Sequence, residues 1–393
     1  TDRRGPAVPF AAGLVLFSVG LIAGGLASSM GMLVVARLAQ GFGAGAIPAS
    51  AYASVARGYP PSLRPRVCAV FSTAWVVPGL VGPAAASGIE HASSWRVVFL
   101  ALLPLVAIAA ALALPVLSDH RPAGAGDGDA ADADPDPDDR RRNAVVLVAG
   151  VALVLGGLGA HQVALAVALV VAGAIPAAWA FLRLVPGGTV RLRPGLPAAV
   201  ATRGVLTFAF FGADAYVSLA VTDGHDAATW VAGLALTGAT LAWTTGAWVQ
   251  QRLVLQRGPR WLVQRGFAVI AVGIAGLALA LRPGVPVAAT VVAWTIAGLG
   301  MGLSYAPISV TVLGTAEPGQ EGRASASLQL TDVLGVSLGT GLAGVFVALG
   351  DGRGWATSSS LTIAFAMTLA VAVAGVVAAG HLPRRLPGVE PAG

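Results

Sequence analysis

Arg37-Leu-Ala-Gln-Gly-Phe-Gly-Ala-Gly45 is an arginine followed by a glycine ladder, set inside an apolar run from about Met32 to Ala56. A charge within a membrane helix costs a few kcal/mol on insertion scales and more in simulations. A chain keeps one there when something uses it. The alternative for Arg37 is snorkelling: it sits only about one and a half turns into its span, within reach of the outer surface.

The rest of the chain has the composition of a membrane protein. Of 393 residues, 56% are hydrophobic and 11% charged, and the mean hydropathy is +0.79. No soluble domain of this size carries that balance, so the net charge of +6 does not point to nucleic acid. All 24 basic residues are arginine. With the excess of Ala, Gly and Val, this is the signature of a GC-rich genome such as an actinobacterium's. The single cysteine, Cys68, excludes an internal disulfide and a cysteine-based metal site. The chain starts at Thr1 without Met and without a signal-peptide pattern, and Asp2-Arg-Arg-Gly5 reads as the middle of a longer stretch.

About 20 helical residues cross a hydrocarbon core roughly 30 Å thick. Apolar runs of that kind fall near 8–28, 32–56, 68–90, 97–117, 144–160, 162–184, 204–221, 228–249, 266–281, 286–312, 325–349 and 357–380. These runs are long and continuous, which predicts an all-α membrane protein of twelve transmembrane helices, not a barrel of alternating strands. The fifth is short, so residues 144–184 read as a tight hairpin turning at His161. Arginine placement supports the count. With a cytoplasmic N-terminus, twenty arginines, Arg203 among them, fall in loops on one side and only Arg96, Arg282 and Arg353 on the other. That is the asymmetry expected of an inner-membrane protein with both termini of this chain in the cytoplasm.

Residues 118–142 differ in kind. The stretch Asp127-Gly-Asp-Ala-Ala-Asp-Ala-Asp-Pro-Asp-Pro-Asp-Asp139 is acidic, broken by proline and free of large apolar residues, which predicts a disordered cytoplasmic linker. It lacks the spacing and glycine turn of a calcium loop. The linker therefore divides the chain into a front piece of four spans and a back piece of eight, an uneven split.

Only two carboxylates outside the linker fall within spans. Asp214 lies in Phe208-Ala-Phe-Phe-Gly-Ala-Asp-Ala-Tyr216, and Asp332 in Gln329-Leu-Thr-Asp-Val-Leu-Gly335. Low dielectric favours the neutral form of a carboxylate and an adjacent cation opposes that, so such a group can exchange protons while a substrate competes for it. The alternative is a polar residue hydrogen-bonded between helices. Gly41, Gly43 and Gly45 would let a second backbone approach closely, and Pro78 and Pro83 would bend the helix that holds Gly79, Gly82 and Gly88. Trp75, Phe211, Tyr216, Trp243 and Tyr305 fall within or near span interiors, where they would line an aromatic cavity or pack as core. The five histidines sit in loops or at span ends. No metal site, no cofactor site and no converging catalytic set is expected, which argues against a membrane-embedded enzyme such as an acyltransferase.

These motifs carry a resemblance. Arg37-Leu-Ala-Gln40-Gly41-Phe-Gly43 resembles the fourth-helix motif of major facilitator superfamily transporters, and Asp2-Arg3-Arg4-Gly5 looks like the back half of that superfamily's signature loop. Gly79 to Gly88, with Gly82-Pro83, is similar to the fifth-helix antiporter motif, although Ala86 and Ser87 stand where glycines are usual. Trp95-Arg96-Val-Val-Phe99-Leu followed by Pro104 resembles the start of helix six in the drug:proton antiporters with fourteen spans. The resemblance implies a front bundle over 1–117 that holds helices three to six, the linker over 118–142, an extra central helix pair over 143–185, a six-helix bundle over 186–383 and a cytoplasmic tail over 384–393, with helices one and two missing from this chain. The segment Arg252 to Arg265 looks like a degenerate repeat of the signature loop.

The implied function is proton-coupled efflux of amphipathic or hydrophobic small molecules by a monomeric carrier in the bilayer. Asp214 would be the main protonation site, Arg37 a tuning charge, Asp332 a secondary site and Asp2 to Gly5 a cytoplasmic latch. A proton-coupled importer or a lipid or metabolite exporter would share these features. A non-transporting scaffold or sensor would use the acidic linker as its docking element.

Overall fold

The computed structural model describes residues 7–60, 62–74, 89, 92–118, 137–159, 162–317 and 319–386. Thirteen helices are traced among them: α1 Ala7–Gly25, α2 Met30–Gly58, α3 Arg64–Ala74, α4 Trp95–Leu100, α5 Leu103–Ser118, α6 Pro137–Leu158, α7 Val163–Leu184, α8 Leu196–Asp214, α9 Val217–His225, α10 Thr229–Ala280, α11 Ala288–Thr315, α12 Glu321–Asp351 and α13 Thr357–Ala379. The described residues contain no strand. That follows from the composition, because a helix pairs its backbone groups within one segment and so tolerates lipid on every side.

Ten helical stretches are long and apolar enough to cross a membrane. One of them, α10, has 52 residues. At 1.5 Å per residue it runs about 78 Å, more than twice the hydrocarbon thickness, so it makes two crossings. The expected pair 228–249 and 266–281 is this helix, and the loop expected between them is helical except at Gly258 (φ 77°, ψ 163°). Pro259 follows, and proline removes an intrahelical hydrogen bond and clashes with the preceding turn. A Cβ at Gly258 would collide with the Arg384 carbonyl oxygen of the C-terminal tail, so glycine serves both the left-handed turn and the close approach. Of the expected span 68–90, only the part up to Ala74, the end of α3, and Ile89 are described.

Two boundaries differ from the sequence reading. Helix α6 begins at Pro137, so the last residues assigned to the linker are helical. Asp139 in its first turn pairs with Arg142 at 2.8 Å, a position where a carboxylate also meets the positive end of the helix dipole. Residues 119–136 and His161 lie outside the described residues. Helix α8 begins at Leu196, not near 204. Arg203, expected in a cytoplasmic loop, is thereby two turns inside a helix and 1% exposed.

Close packing rests on small residues, as it must where lipid supplies no hydrophobic drive between helices. Helices α1 and α2 meet at Gly43, which abuts the backbone of Gly13 and Phe17. Gly41 and Gly45 do not share that role: a Cβ on either would meet nothing within 4 Å. The pair α6–α7 closes over Gly150, whose Cβ would lie 2.6 Å from the Gly173 oxygen. The main core belongs to the back bundle, α8 to α13, around Trp294, Phe267, Phe365, Leu206 and Met301. The front bundle, α1 to α5, holds a smaller cluster of Phe10, Leu14 and Leu117.

Candidate functional site

The two intramembrane carboxylates lie toward opposite ends of the back bundle. Asp214 is the last residue of α8, and the helical run breaks over Ala215 and Tyr216 before α9 begins. Breaks of this kind inside a span survive only where neighbours satisfy the freed backbone groups. Thr340 of α12 contacts both sides of this break. Its carbonyl accepts the Tyr216 hydroxyl at 3.1 Å and its own hydroxyl donates to the Phe211 carbonyl at 3.4 Å. The Asp214 carboxylate accepts one hydrogen bond, from Trp294 Nε1 at 2.9 Å, and makes no ion pair among the described residues.

Aromatic rings extend from that tryptophan. Phe210 stacks on Trp294 with centroids 4.7 Å apart and meets Trp243 edge-on at 5.8 Å. Phe211 lies 6.2 Å from Trp243, and Trp243 lies 5.4 Å from Tyr305. Three of the five aromatic residues singled out in the sequence, Phe211, Trp243 and Tyr305, are therefore in one chain of rings. Tyr216 is apart from it, bound to α12. Phe210 and Trp294 complete the chain and had no sequence signal beyond being aromatic.

At the other end of this chain stands Arg203. Its guanidinium lies over the Tyr305 ring at 3.5 Å from the centroid, donates to the Ser309 hydroxyl and approaches Asp332, with Nε 3.7 Å from Oδ1. The Tyr305 hydroxyl donates to Asp332 Oδ2 at 3.3 Å. Thr207 donates to the Asp332 backbone carbonyl at 3.0 Å, tying α8 to α12. Asp332 thus has a cation, which the sequence reading did not supply.

Arg37 meets neither carboxylate. It donates to Gln40 Oε1 at 3.0 Å, one turn along α2, and its guanidinium lies 4.5 Å from the centroid of Phe99 on α4. It also borders a cavity of about 680 Å³ between α1, α2, α6 and α12, together with Gly41, Gly45, Ser50, Gln329 and Ser337. The motif is therefore two-faced: Gly43 faces α1, while Arg37, Gly41 and Gly45, four residues apart, face the cavity. Arg96 is explained by packing, since its guanidinium caps the Ala27 carbonyl at 2.9 Å. Asp2, Arg3, Arg4, Gly5, Trp75, Gly79, Gly82, Pro83 and Gly88 lie outside the described residues. Among the described residues, no group of three metal-ligating side chains converges.

Comparisons with known proteins agree with this architecture. A probable multidrug-efflux transporter of Mycobacterium tuberculosis strain H37Rv is 27% identical over 403 aligned residues, covering 98% of this chain and 83% of that protein. The drug efflux pump JefA of the same strain is 26% identical, covering 88% of this chain and 68% of its own. Among solved structures, the human organic anion transporter MFSD10 superposes with a TM-score of 0.63 at 14% identity, covering 94% of this chain and 77% of that one. The proton:xylose symporter XylE superposes with a TM-score of 0.59 at 14% identity, covering 95% and 80%. At that identity these structures speak for the fold alone. Residues 1–340 match the Major Facilitator Superfamily, and the chain, a multi-pass membrane transporter and not an enzyme, belongs to that family.

Proposed function

We propose that the protein is a proton-coupled efflux carrier of the fourteen-span drug:proton type, exporting amphipathic hydrophobic or cationic molecules across the bacterial inner membrane. The central pair α6–α7 is the extra pair of that group. Both termini of this chain face the cytoplasm, on the side of the arginine-rich loops. The carrier works as a monomer, rocking front and back bundles about a midplane site.

One observation carries this reading: the span α8–α9 is broken directly after Asp214. Interrupted helices place backbone and carboxylate groups at the substrate and ion sites of carriers. A carboxylate without a cation beside it binds a proton or a cationic substrate, one at the expense of the other. The neighbouring half-buried rings of Phe211 and Trp243 suit a delocalised cation. Asp214 is accordingly the main protonation site, Asp332 a secondary polar site and Arg37 a tuning charge on the wall of the cavity between the bundles. That cavity has the size of a drug-sized binding pocket, roughly 300–1,000 Å³. The curated relatives named as multidrug efflux proteins support the substrate class.

The test is Asp214→Asn in cells loaded with ethidium. Export driven by the proton gradient falls to the background of cells without the protein, while the amount of protein in the membrane is unchanged. Wild-type export in that variant would sink the assignment.

A further inference from the structure

The central pair α6–α7 meets the back bundle across a cavity of about 470 Å³ that the proposed transport cycle leaves unused. Val151 of α6, Ala178 and Phe181 of α7, Val205 and Phe208 of α8 and Leu338 of α12 are on its wall. From Ala201 to Phe208 along α8 it is about 10 Å deep, at 1.5 Å per residue. The two side-chain hydroxyls on its wall are already bonded, Thr189 to the Pro186 carbonyl at 2.6 Å and Thr331 to the Ser327 carbonyl at 3.2 Å. A space with such walls takes hydrocarbon, since a polar group placed there would lose its water without gaining a partner. Ala178 is exposed and Val205 and Phe208 are half-buried, so the space opens sideways, toward lipid. At the arginine-rich end Val190, from the loop between α7 and α8, borders it and is still 66% exposed. That loop is fixed: the amides of Arg191 and Arg193 both donate to the Gly188 carbonyl at 3.1 Å. Both arginine side chains are exposed and pair with no carboxylate among the described residues.

We propose that this cavity and its loop bind one anionic phospholipid from the leaflet on the arginine-rich side: an acyl chain lies between the central pair and the back bundle, and Arg191 and Arg193 take the phosphate. The occupant follows from the two halves together. Apolar walls need a hydrocarbon chain, and two unpaired guanidiniums beside them need an anion. A lipid without net charge answers only the first need, and a soluble phosphate ester only the second. Arg183 is no part of the site. Its guanidinium stacks on Trp179, 4.2 Å from the ring centroid, and both residues lie on the face of α7 opposite Ala174, Ala178 and Phe181. The seated chain has a structural task. Leu147, Val151 and Leu334 line both this cavity and the one that Arg37 borders, so a chain on one side supports the wall of the other.

The experiment measures lipid bound to the purified, delipidated full chain in detergent by native mass spectrometry, with dioleoylphosphatidylglycerol and dioleoylphosphatidylcholine as probes. Wild type holds one phosphatidylglycerol about tenfold more tightly than phosphatidylcholine, as expected of two arginines at a lipid phosphate. Arg191→Gln/Arg193→Gln binds the two lipids alike, while Arg183→Gln keeps the preference. Ala178→Phe, which fills the cavity, weakens both lipids several-fold. The arginine pair is at the surface, so its variant folds whatever Ala178→Phe does. Millimolar glycerol 3-phosphate and ethidium both leave phosphatidylglycerol in place. Equal binding of the two lipids by wild type would reduce the occupant to ordinary bilayer lipid, and a preference unchanged in Arg191→Gln/Arg193→Gln would take the headgroup off the loop. Displacement by glycerol 3-phosphate would make the loop a site for soluble phosphate esters, and displacement by ethidium would make the cavity part of the transport route. Each of these four results overturns the proposal. Because no transport is measured, they are separate from failure of the Asp214→Asn test.

Discussion

The two ends of the back bundle treat a carboxylate in opposite ways. Asp214 stands at a helix break with one indole N–H and no cation among the described residues. Asp332 stands inside a continuous helix, 3.7 Å from a buried arginine and bonded by a tyrosine hydroxyl. A carboxylate of the first kind can give up its charge without stranding another. One of the second kind cannot, because its neutralisation leaves a guanidinium in low dielectric. The same side chain is thus suited to carrying a proton at one end and to holding helices together at the other. The ring chain from Trp294 through Phe210 and Trp243 to Tyr305 joins the two.

Identical substitutions at the two ends break the comparison most sharply. Asp332→Asn, or Arg203→Gln alone, leaves one buried charge unpaired and lowers stability by about 3–5 kcal/mol, read as thermal unfolding of the detergent-solubilised protein. The double variant Arg203→Gln/Asp332→Asn recovers most of that loss, since removing both partners leaves no orphan charge. Trp294→Phe keeps the stack on Phe210 but deletes the donor to Asp214, and costs about 1–2 kcal/mol. Asp214→Asn, in contrast to Asp332→Asn, costs less than about 1 kcal/mol, because the amide oxygen still accepts from Trp294. Arg37→Gln is smallest, within about 0.5 kcal/mol, because Arg37 is exposed and unpaired with any carboxylate among the described residues. If Asp214→Asn and Asp332→Asn unfold at the same temperature, the contrast between the two ends is wrong.

The helical class and most of the spans were legible because apolar run length is a one-dimensional property of the chain. So was Asp214, as one of two carboxylates within apolar runs. Arg203 was not. It follows Arg191 and Arg193 so closely that it looked like a third loop residue. The signal that places it is Gly195-Leu-Pro197, glycine then proline at a helix start, followed by the apolar Ala198-Ala-Val-Ala201. The partner of Asp214 was beyond reach, since Trp294 is 80 residues away and its indole looks like any other. The glycines show the same limit. Gly41, Gly43 and Gly45 are alike in sequence, and only helix rotation decides that Gly43 faces α1 while the other two face a cavity. The break at Ala215–Tyr216 is flanked by contacts with Thr340, 124 residues beyond Tyr216, which no local pattern contains.

The central claim is that export and proton movement are one process passing through Asp214. Its direct test uses proteoliposomes that hold the full chain, a pH-sensitive dye inside and ethidium as the transported probe. Adding ethidium to wild-type vesicles drives protons in the direction opposite to ethidium, and Asp214→Asn vesicles show neither flux above that of empty liposomes. Ethidium movement without any proton movement, or coupled fluxes unchanged in Asp214→Asn, would contradict the account.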